Sequence, residues 1–102
     1  MQVFMVERDL NGITIEDLAA LQQTEMLKAR EMTRDGTPIR YVRSAFVPED
    51  GRCMCLFEAR SDDEVRRLND DARLPYRRVL RALDLTPTGL QLVAVEMSAD
   101  KP

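Results

Sequence analysis

Histidine is missing from this chain of 102 residues. The chain therefore lacks the commonest metal ligand and the commonest general base. Its absence excludes a Ser-His-Asp triad, a Cys-His pair and every zinc motif that contains histidine. No other catalytic motif stands out, so the residues predict the fold more sharply than the function.

Long apolar runs and an excess of basic charge are missing as well. No run approaches the ~18 consecutive apolar residues of a membrane helix, so we expect no membrane partner. The net charge is −3 and the pI about 5.0. Nucleic acid is not an expected partner, because it would require a basic patch. The arginines between residues 66 and 78 are offset by neighbouring acids, which indicates a solvated face of mixed charge.

The first residues, "MQVFMVERD", carry an acid by Glu7 and contain no long apolar segment. They are not typical of a signal peptide. We therefore expect a cytoplasmic protein, in which the two cysteines stay reduced.

The length suits a single domain, and 44% apolar with 32% charged residues is ordinary for a soluble globular protein. Residues 2–6 are apolar and partly β-branched, which predicts a strand. Thr14 is a good N-cap for a helix that we expect to run to about Thr33, with Gly36 ending it. The apolar stripe of this helix is predicted at Ile15, Leu18, Ala19, Gln22, Met26 and Ala29.

Two strands, residues 38–47 and 52–59, follow on either side of the turn "PEDG". Ser61 and Glu64 form a capping-box pattern that predicts a second, short helix, which "LP" at 74–75 ends. The next segment, "YRRVLRALDL", fits a helix and a strand equally well by spacing alone. "LQLVAVEM" at 90–97 alternates like a strand.

This order predicts an α+β, ferredoxin-like βαββαβ domain with both helices on one face of an antiparallel sheet. We assign residues 1–87 to this domain, and residues 88–102 to an extra C-terminal strand and a tail. The other face of the sheet stays open unless something covers it.

The two cysteines lie two residues apart, and therefore on one face of their strand. A four-residue turn pairs Val47 with Arg52, and this register predicts one helix-covered set of residues: Val42, Ser44, Phe46, Cys53, Cys55 and Phe57. The favoured interpretation is that Cys53 and Cys55 are core residues, because free cysteine is among the most buried residue types. The alternative is a soft-metal site, for which two thiolates are too few ligands.

The same register places a half-apolar set on the open face: Tyr41, Arg43, Ala45, Met54, Leu56 and Glu58, joined by Met5 and Glu7 from the first strand. Such a patch often marks an interface, and it can also wall a ligand pocket. The predicted ligand-binding residues are Glu7, Tyr41, Arg43, Met54 and Glu58. Arg43 would bind an anionic group, and Glu7 or Glu58 would act as a base if desolvation raised its pKa.

Four segments resemble a family of small proteins of unknown function that includes a nickel-binding protein: "FMVERDLNGIT", "YVRSAFV", "CLFEARSDDEVRRLN" and "LPYRRVLRALDLTP". The resemblance implies a ferredoxin-like fold, a strand at residues 77–85, and a homodimer in which two sheets face each other as in a dimeric α/β barrel. It also implies nickel or another soft metal as cofactor, with Cys55 at the position of a family cysteine. Relatives often carry histidine in place of Arg43 and near Leu68; a cationic Arg43 favours an anion over a divalent metal.

The first functional hypothesis is a non-catalytic homodimer that holds a small anionic ligand, with a metal ion less favoured and no cofactor predicted from the residues themselves. The second is a cofactor-free enzyme of isomerase, cyclase or oxygenase type, with its chemistry at Tyr41, Arg43, Glu7 and Glu58. The third is a structural or regulatory dimer without a ligand.

Overall fold

The computed structural model describes residues 1–87. Six elements follow one another in the order βαββαβ: β1 (Gln2–Asp9), α1 (Ile15–Arg34), β2 (Ile39–Val47), β3 (Arg52–Ala59), α2 (Asp62–Asp71) and β4 (Arg78–Ala82). The four strands form one antiparallel sheet in the order β2-β3-β1-β4. This is the predicted ferredoxin-like α+β fold. The predicted strand at 90–97 lies outside the described residues.

Local capping sets the start of both helices. The Thr14 side chain accepts a hydrogen bond from the Asp17 amide, and the Ser61 side chain accepts one from the Glu64 amide. Both N-caps are as predicted. The Glu64 carboxylate accepts instead from Arg60, at 3.1 Å. Helix α1 ends one residue later than expected, and the turn at Gly36 has a φ of +102°, which suits glycine.

Segment 76–85, which local spacing left ambiguous, contains strand β4. It pairs with β1, and Val79 lies opposite Val6. Pairing with a central strand satisfies the backbone groups of the segment and buries Val79, which is 5% exposed. This agrees with the strand that the family resemblance implied.

The core lies between the sheet and the two helices. Residues from every strand and both helices contribute to it, namely Phe4, Val6, Ala29, Met32, Ile39, Cys53, Cys55, Phe57, Ala59, Val65, Leu68 and Val79. Both cysteines are buried, as the hairpin register predicted. The apolar stripe of α1 was predicted only in part, because Ile15 is 72% exposed while Glu25 is fully buried.

No helix among residues 1–87 is long and apolar enough to cross a membrane.

Candidate functional site

The open face of the sheet, opposite the helices, carries a band of apolar side chains. Met5 of β1 lies between Leu56 of β3 and Leu80 of β4 in the pairing register. Met54 lies opposite Glu7, and Val3 lies opposite Glu58. No described helix packs on this face, although the segment after β4 reaches across to Arg43 of β2 through Asp84. Met5, Met54 and Leu56 are only partly buried, and Leu80 is 39% exposed. We call Val3, Met5, Met54, Leu56 and Leu80 the apolar band.

One end of the apolar band carries a cluster of arginines around Glu7. Arg78 Nε donates to Glu7 Oε2 at 2.7 Å. Arg52 Nε lies 3.9 Å and Arg77 Nη1 4.0 Å from Glu7 Oε1, and Arg77 also lies 3.4 Å from an oxygen of Asp9. We call Arg52, Arg77 and Arg78 the arginine cluster. Its three guanidinium groups outnumber the two carboxylates that they contact, those of Glu7 and Asp9. The Asp50 carboxylate lies nearby and accepts a hydrogen bond from the Arg52 amide.

The arginine cluster also determines the ionisation of Glu7. The hydrogen bond from Arg78, assisted by the charges of all three arginines, lowers the pKa of Glu7 despite its burial. The condition for Glu7 as a general base was a pKa raised by desolvation, and Glu7 does not meet that condition. The hydrogen bond and the nearby positive charges outweigh the desolvation, so the ionised form of Glu7 is favoured and holds the arginines in place.

Two further ion pairs lie on the open face away from the arginine cluster. Arg40 binds Glu58 with an Nη2–Oε1 distance of 2.6 Å, and Arg43 binds Asp84, which follows β4. Glu7 and Glu58 are four residues apart in the register of β3, which is roughly 13 Å along a strand. The predicted set is therefore divided. Glu7 and Met54 lie towards the arginine cluster, Arg43 lies opposite Leu56 in the middle of the face, and Glu58 lies at the far end, so that Arg43 and Glu58 belong to separate ion pairs.

Tyr41 was predicted on the open face, and this placement is wrong. A β-bulge between Tyr41 and Arg43 shifts the register, so that Tyr41 pairs with Phe57 in place of Val42. Its ring packs edge-on against Phe57, with centroids 5.5 Å apart. Its hydroxyl accepts a hydrogen bond from Gln22 of α1. The extra residue in the bulge turns Tyr41 to the helix-covered side of the sheet.

A second cluster of polar groups is buried between the sheet and the helices. Arg8 of β1 donates to Asn69 Oδ1 at 2.6 Å and to the Pro75 carbonyl at 3.0 Å. Arg8 Nη2 also lies 3.6 Å from Glu25 Oε2, and both side chains are fully buried. The Cys55 thiol donates to Glu25 Oε1 at 3.5 Å, and the two cysteine sulfurs lie 3.7 Å apart.

Burial controls the protonation of this buried polar cluster. Burial, strengthened by the proximity of Cys55, raises the pKa of Glu25 to about 9, against the opposing charge of Arg8. The hydrogen bond between the sulfurs, together with burial, raises the pKa of Cys55, while the same bond lowers the pKa of Cys53. At neutral pH the Glu25 carboxyl and the Cys55 thiol therefore retain their protons.

A cleft of about 240 Å³ opens above this cluster, between the first half of α1 and the hairpin of β2 and β3. Its walls are largely apolar, and include Leu18, Leu21 and Phe46. Glu25 and Cys53 lie in its lining. Glu25 itself is fully buried beneath the cleft, and a buried carboxyl of raised pKa next to a cleft is a typical feature of acid–base sites.

The buried cluster is a poor match for a divalent metal ion. Metal binding requires deprotonated thiols and carboxylates, and here Cys55 and Glu25 hold their protons while Arg8 lies 3.6 Å from Glu25. Within residues 1–87 no three cysteine, aspartate or glutamate side chains are grouped as a metal site would need. Cys53 and Cys55 are core residues in this fold.

Arg8, Glu25 and Asn69 were missed at the sequence level, although two of them carry a periodic signal. Arg8 continues the alternation of Phe4 and Val6 along β1, and Glu25 follows the helical spacing that ends in Ala29 and Met32. A charged residue at a buried position of such a pattern needs a partner. The basic Arg8 at a buried position of β1 and the acidic Glu25 at a buried position of α1 would together have indicated that the two side chains are partners.

The fold, the arginine cluster and the buried polar cluster define a small ferredoxin-like α+β protein. Residues 1–87 contain no group of side chains arranged as a metal site. Residues 4–81 match the family described as "Nickel responsive protein SCO4226-like". The chain belongs to this family. The structure is similar to the crystal structure of SCO4226 from Streptomyces coelicolor A3(2), with a TM-score of 0.69 and 19% sequence identity. That similarity covers 82% of this chain and 99% of the other. No curated protein matches this sequence.

Proposed function

We propose that this family member is a homodimeric binding protein that joins two protomers through the apolar band and holds a small anion at the arginine cluster. The main support for the anion site is the arrangement around Glu7, where three guanidinium groups lie within 4.0 Å of one carboxylate. Arginine binds carboxylate and phosphate groups through two parallel hydrogen bonds. A surplus of such groups beside an apolar surface suits an anion with an apolar part.

The dimer is supported by the exposure of the apolar band. Five apolar residues on three adjacent strands form a continuous surface, and such surfaces on soluble proteins mark interaction sites. Away from the arginine cluster, the charged residues beside the band are neutralised in pairs, Arg40 with Glu58 and Arg43 with Asp84. Burial of the band against a second copy would therefore leave few unpaired charges at the interface.

The first experiment is native mass spectrometry of the freshly purified protein, with elemental analysis of the same sample. We expect a dimer that carries no stoichiometric metal. Inorganic phosphate then serves as the probe anion in a calorimetric titration. A monomer with no affinity for phosphate would contradict both parts of the proposal.

The matched variants separate the arginine cluster from general charge. Arg52→Gln with Arg77→Gln removes two positive charges but leaves Arg78 to neutralise Glu7, and we expect phosphate binding to weaken several-fold. The control is Arg67→Gln on α2, where Arg67 donates to Thr37. Equal weakening in the control would show that phosphate responds only to net charge.

A second candidate function is cofactor-free acid–base chemistry in the cleft above Glu25. The observation that favours it is a protonated carboxyl with a pKa of about 9 in the lining of an apolar cleft. Such a carboxyl can donate a proton to a bound substrate. The test is a titration with a small carbonyl compound. Saturable binding, together with proton exchange on the compound that Glu25→Gln abolishes, would support this candidate.

A further inference from the structure

A larger groove lies on the helix side of the sheet, along the outer edge of β2. The second half of α1 forms one wall, and residues 38–42 form the other. Its volume is about 810 Å³, within the range of small-molecule pockets. The floor is formed by Ala29 and Ile39, each 4% exposed. Because it lies beyond the edge of β2 and beneath α1, the groove is separate from the arginine cluster and from the buried polar cluster.

The groove is mainly apolar along its length. The partly buried side chains of Met26, Pro38 and Val42 add to its apolar lining. The α1 residues in its lining run from Gln22 to Arg34, which is about 18 Å of helix. An elongated apolar groove of this length suits a single hydrocarbon chain better than a compact ring system.

Two arginines lie at one end of the groove. Arg30 and Arg34 are four residues apart on α1, and therefore on the same side of the helix. Within residues 1–87 neither forms a hydrogen bond or an ion pair with another side chain, whereas the third lining arginine, Arg40, is held by Glu58. The C-terminal end of a helix carries partial negative charge, so any attraction for an anion must come from these two guanidinium groups.

We propose that this groove binds a single-chain anionic amphiphile, with the hydrocarbon chain along Met26, Ala29 and Ile39 and the anionic head group at Arg30 and Arg34. The juxtaposition of an apolar groove with two free guanidinium groups carries this assignment. Carboxylate and phosphate head groups share the chemistry that arginine recognises. The ligand and the site differ from those of the proposed function, so that either proposal can fail without the other.

The test uses the full chain and three probes with twelve-carbon chains: dodecanoate, monododecyl phosphate and uncharged dodecanol, titrated below their micelle concentrations. We expect one of the two anionic probes, or both, to bind once per protomer and more tightly than dodecanol. The ranking of the two anions identifies the preferred head group. Absence of binding by both anions, or equal binding of dodecanol, would overturn the proposal.

Variants locate the site. Arg30→Gln and Arg34→Gln should each weaken the anionic probes by about three- to five-fold and leave dodecanol unchanged, as for exposed ion pairs. Lys28→Gln is the matched control, because Lys28 lies on α1 outside the groove lining and carries the same charge. Loss of affinity in Lys28→Gln equal to that in Arg34→Gln would contradict the placement.

Val42→Trp tests whether the hydrocarbon chain of the probe binds along the apolar groove. Val42 lies in the β2 bulge and lines the groove, so that the larger side chain should fill the groove and weaken both anionic probes at least ten-fold. A thermal melt checks that the variant folds, and the arginine variants stand independently if it does not. If Val42→Trp changes the oligomeric state but not probe binding, the groove is a protein contact and the proposal is wrong.

Discussion

The Cys55 sulfur lies 3.5 Å from Glu25 Oε1, across the interior between β3 and α1. Neither side chain is exposed. Arg8 lies on the other side of Glu25, at 3.6 Å, but its guanidinium also binds Asn69 and the Pro75 carbonyl. The Glu25 carboxyl therefore joins α1 to β1 and β3, and Arg8 extends the connection to α2 and the segment after it. Its protonation should control the stability of the whole domain.

We expect stability to fall with rising pH because of Glu25. Its pKa is about 9 in the folded protein, against an ordinary value of 4.5. Between these pH values the folded state retains a proton that the unfolded chain has lost. The contribution of Glu25 to the free energy of unfolding should therefore be largest below pH 4.5 and fall by at most about 1.4 kcal/mol per pH unit up to about pH 9. Glu7 and Asp62, whose pKa values are lowered, act in the opposite direction at low pH. Urea denaturation at a series of pH values measures this slope.

Glu25→Gln imitates the protonated carboxyl and should remove most of that slope, so the variant should be more stable than the native chain at pH 8. Glu31→Gln, at an exposed position of the same helix, is the control and should leave the slope unchanged. A variant that is less stable at pH 8 would show that Glu25 is ionised beside Arg8.

Met54→Asp should separate the proposed dimer. Met54 lies in the apolar band directly opposite Glu7, and a carboxylate there would bring a second anion into the apolar interface, where its desolvation costs several kcal/mol. Sedimentation velocity measures the mass of the assembly. Leu27→Asp introduces the same charge at a position of α1 that is 52% exposed, and should leave the dimer intact. An unchanged mass for Met54→Asp would reject the open face as the interface.

Replacement of both cysteines by alanine should lower stability by about 2–4 kcal/mol, because two buried sulfur atoms leave cavities in the core. Metal content should be the same before and after the substitution. Urea denaturation and elemental analysis of the same preparations provide both readouts. Met54→Ala, on the half-buried side of the same strand, should cost less. Disappearance of a bound metal with the cysteines would contradict the core assignment.

Gly51→Ala should destabilise the hairpin of β2 and β3 by more than about 2 kcal/mol. Gly51 has a φ of +72°, and an added Cβ would lie 2.4 Å from the Asn11 Cα. Gly36→Ala is the control, since Gly36 has a φ of +102° but nothing within 4 Å of the added atom. It should cost only about 1–2 kcal/mol of backbone strain. Equal losses in both variants, measured by thermal denaturation, would show that contact with Asn11 does not matter.

The sequence predicted the site only in part because the bulge in β2 has no clear local signature. Alternation along β2 placed Tyr41 beside Arg43, and one extra residue moved Tyr41 to the other side of the sheet. Arg52 is distant in the sequence from Arg77 and Arg78, and only the pairing of β1 with both β3 and β4 brings the three together around Glu7.

By itself the sequence determined the features that depend on neighbouring residues. Thr14 and Ser61 cap the helices, the turn after Val47 sets the hairpin register, and that register buries Cys53 and Cys55. Tertiary structure alone decided that residues 78–82 form a strand, that Arg8 meets Glu25, and that the pKa of Glu25 rises while that of Glu7 falls. Capping and alternation act over a few residues, whereas burial and charge depend on groups brought together by the whole fold.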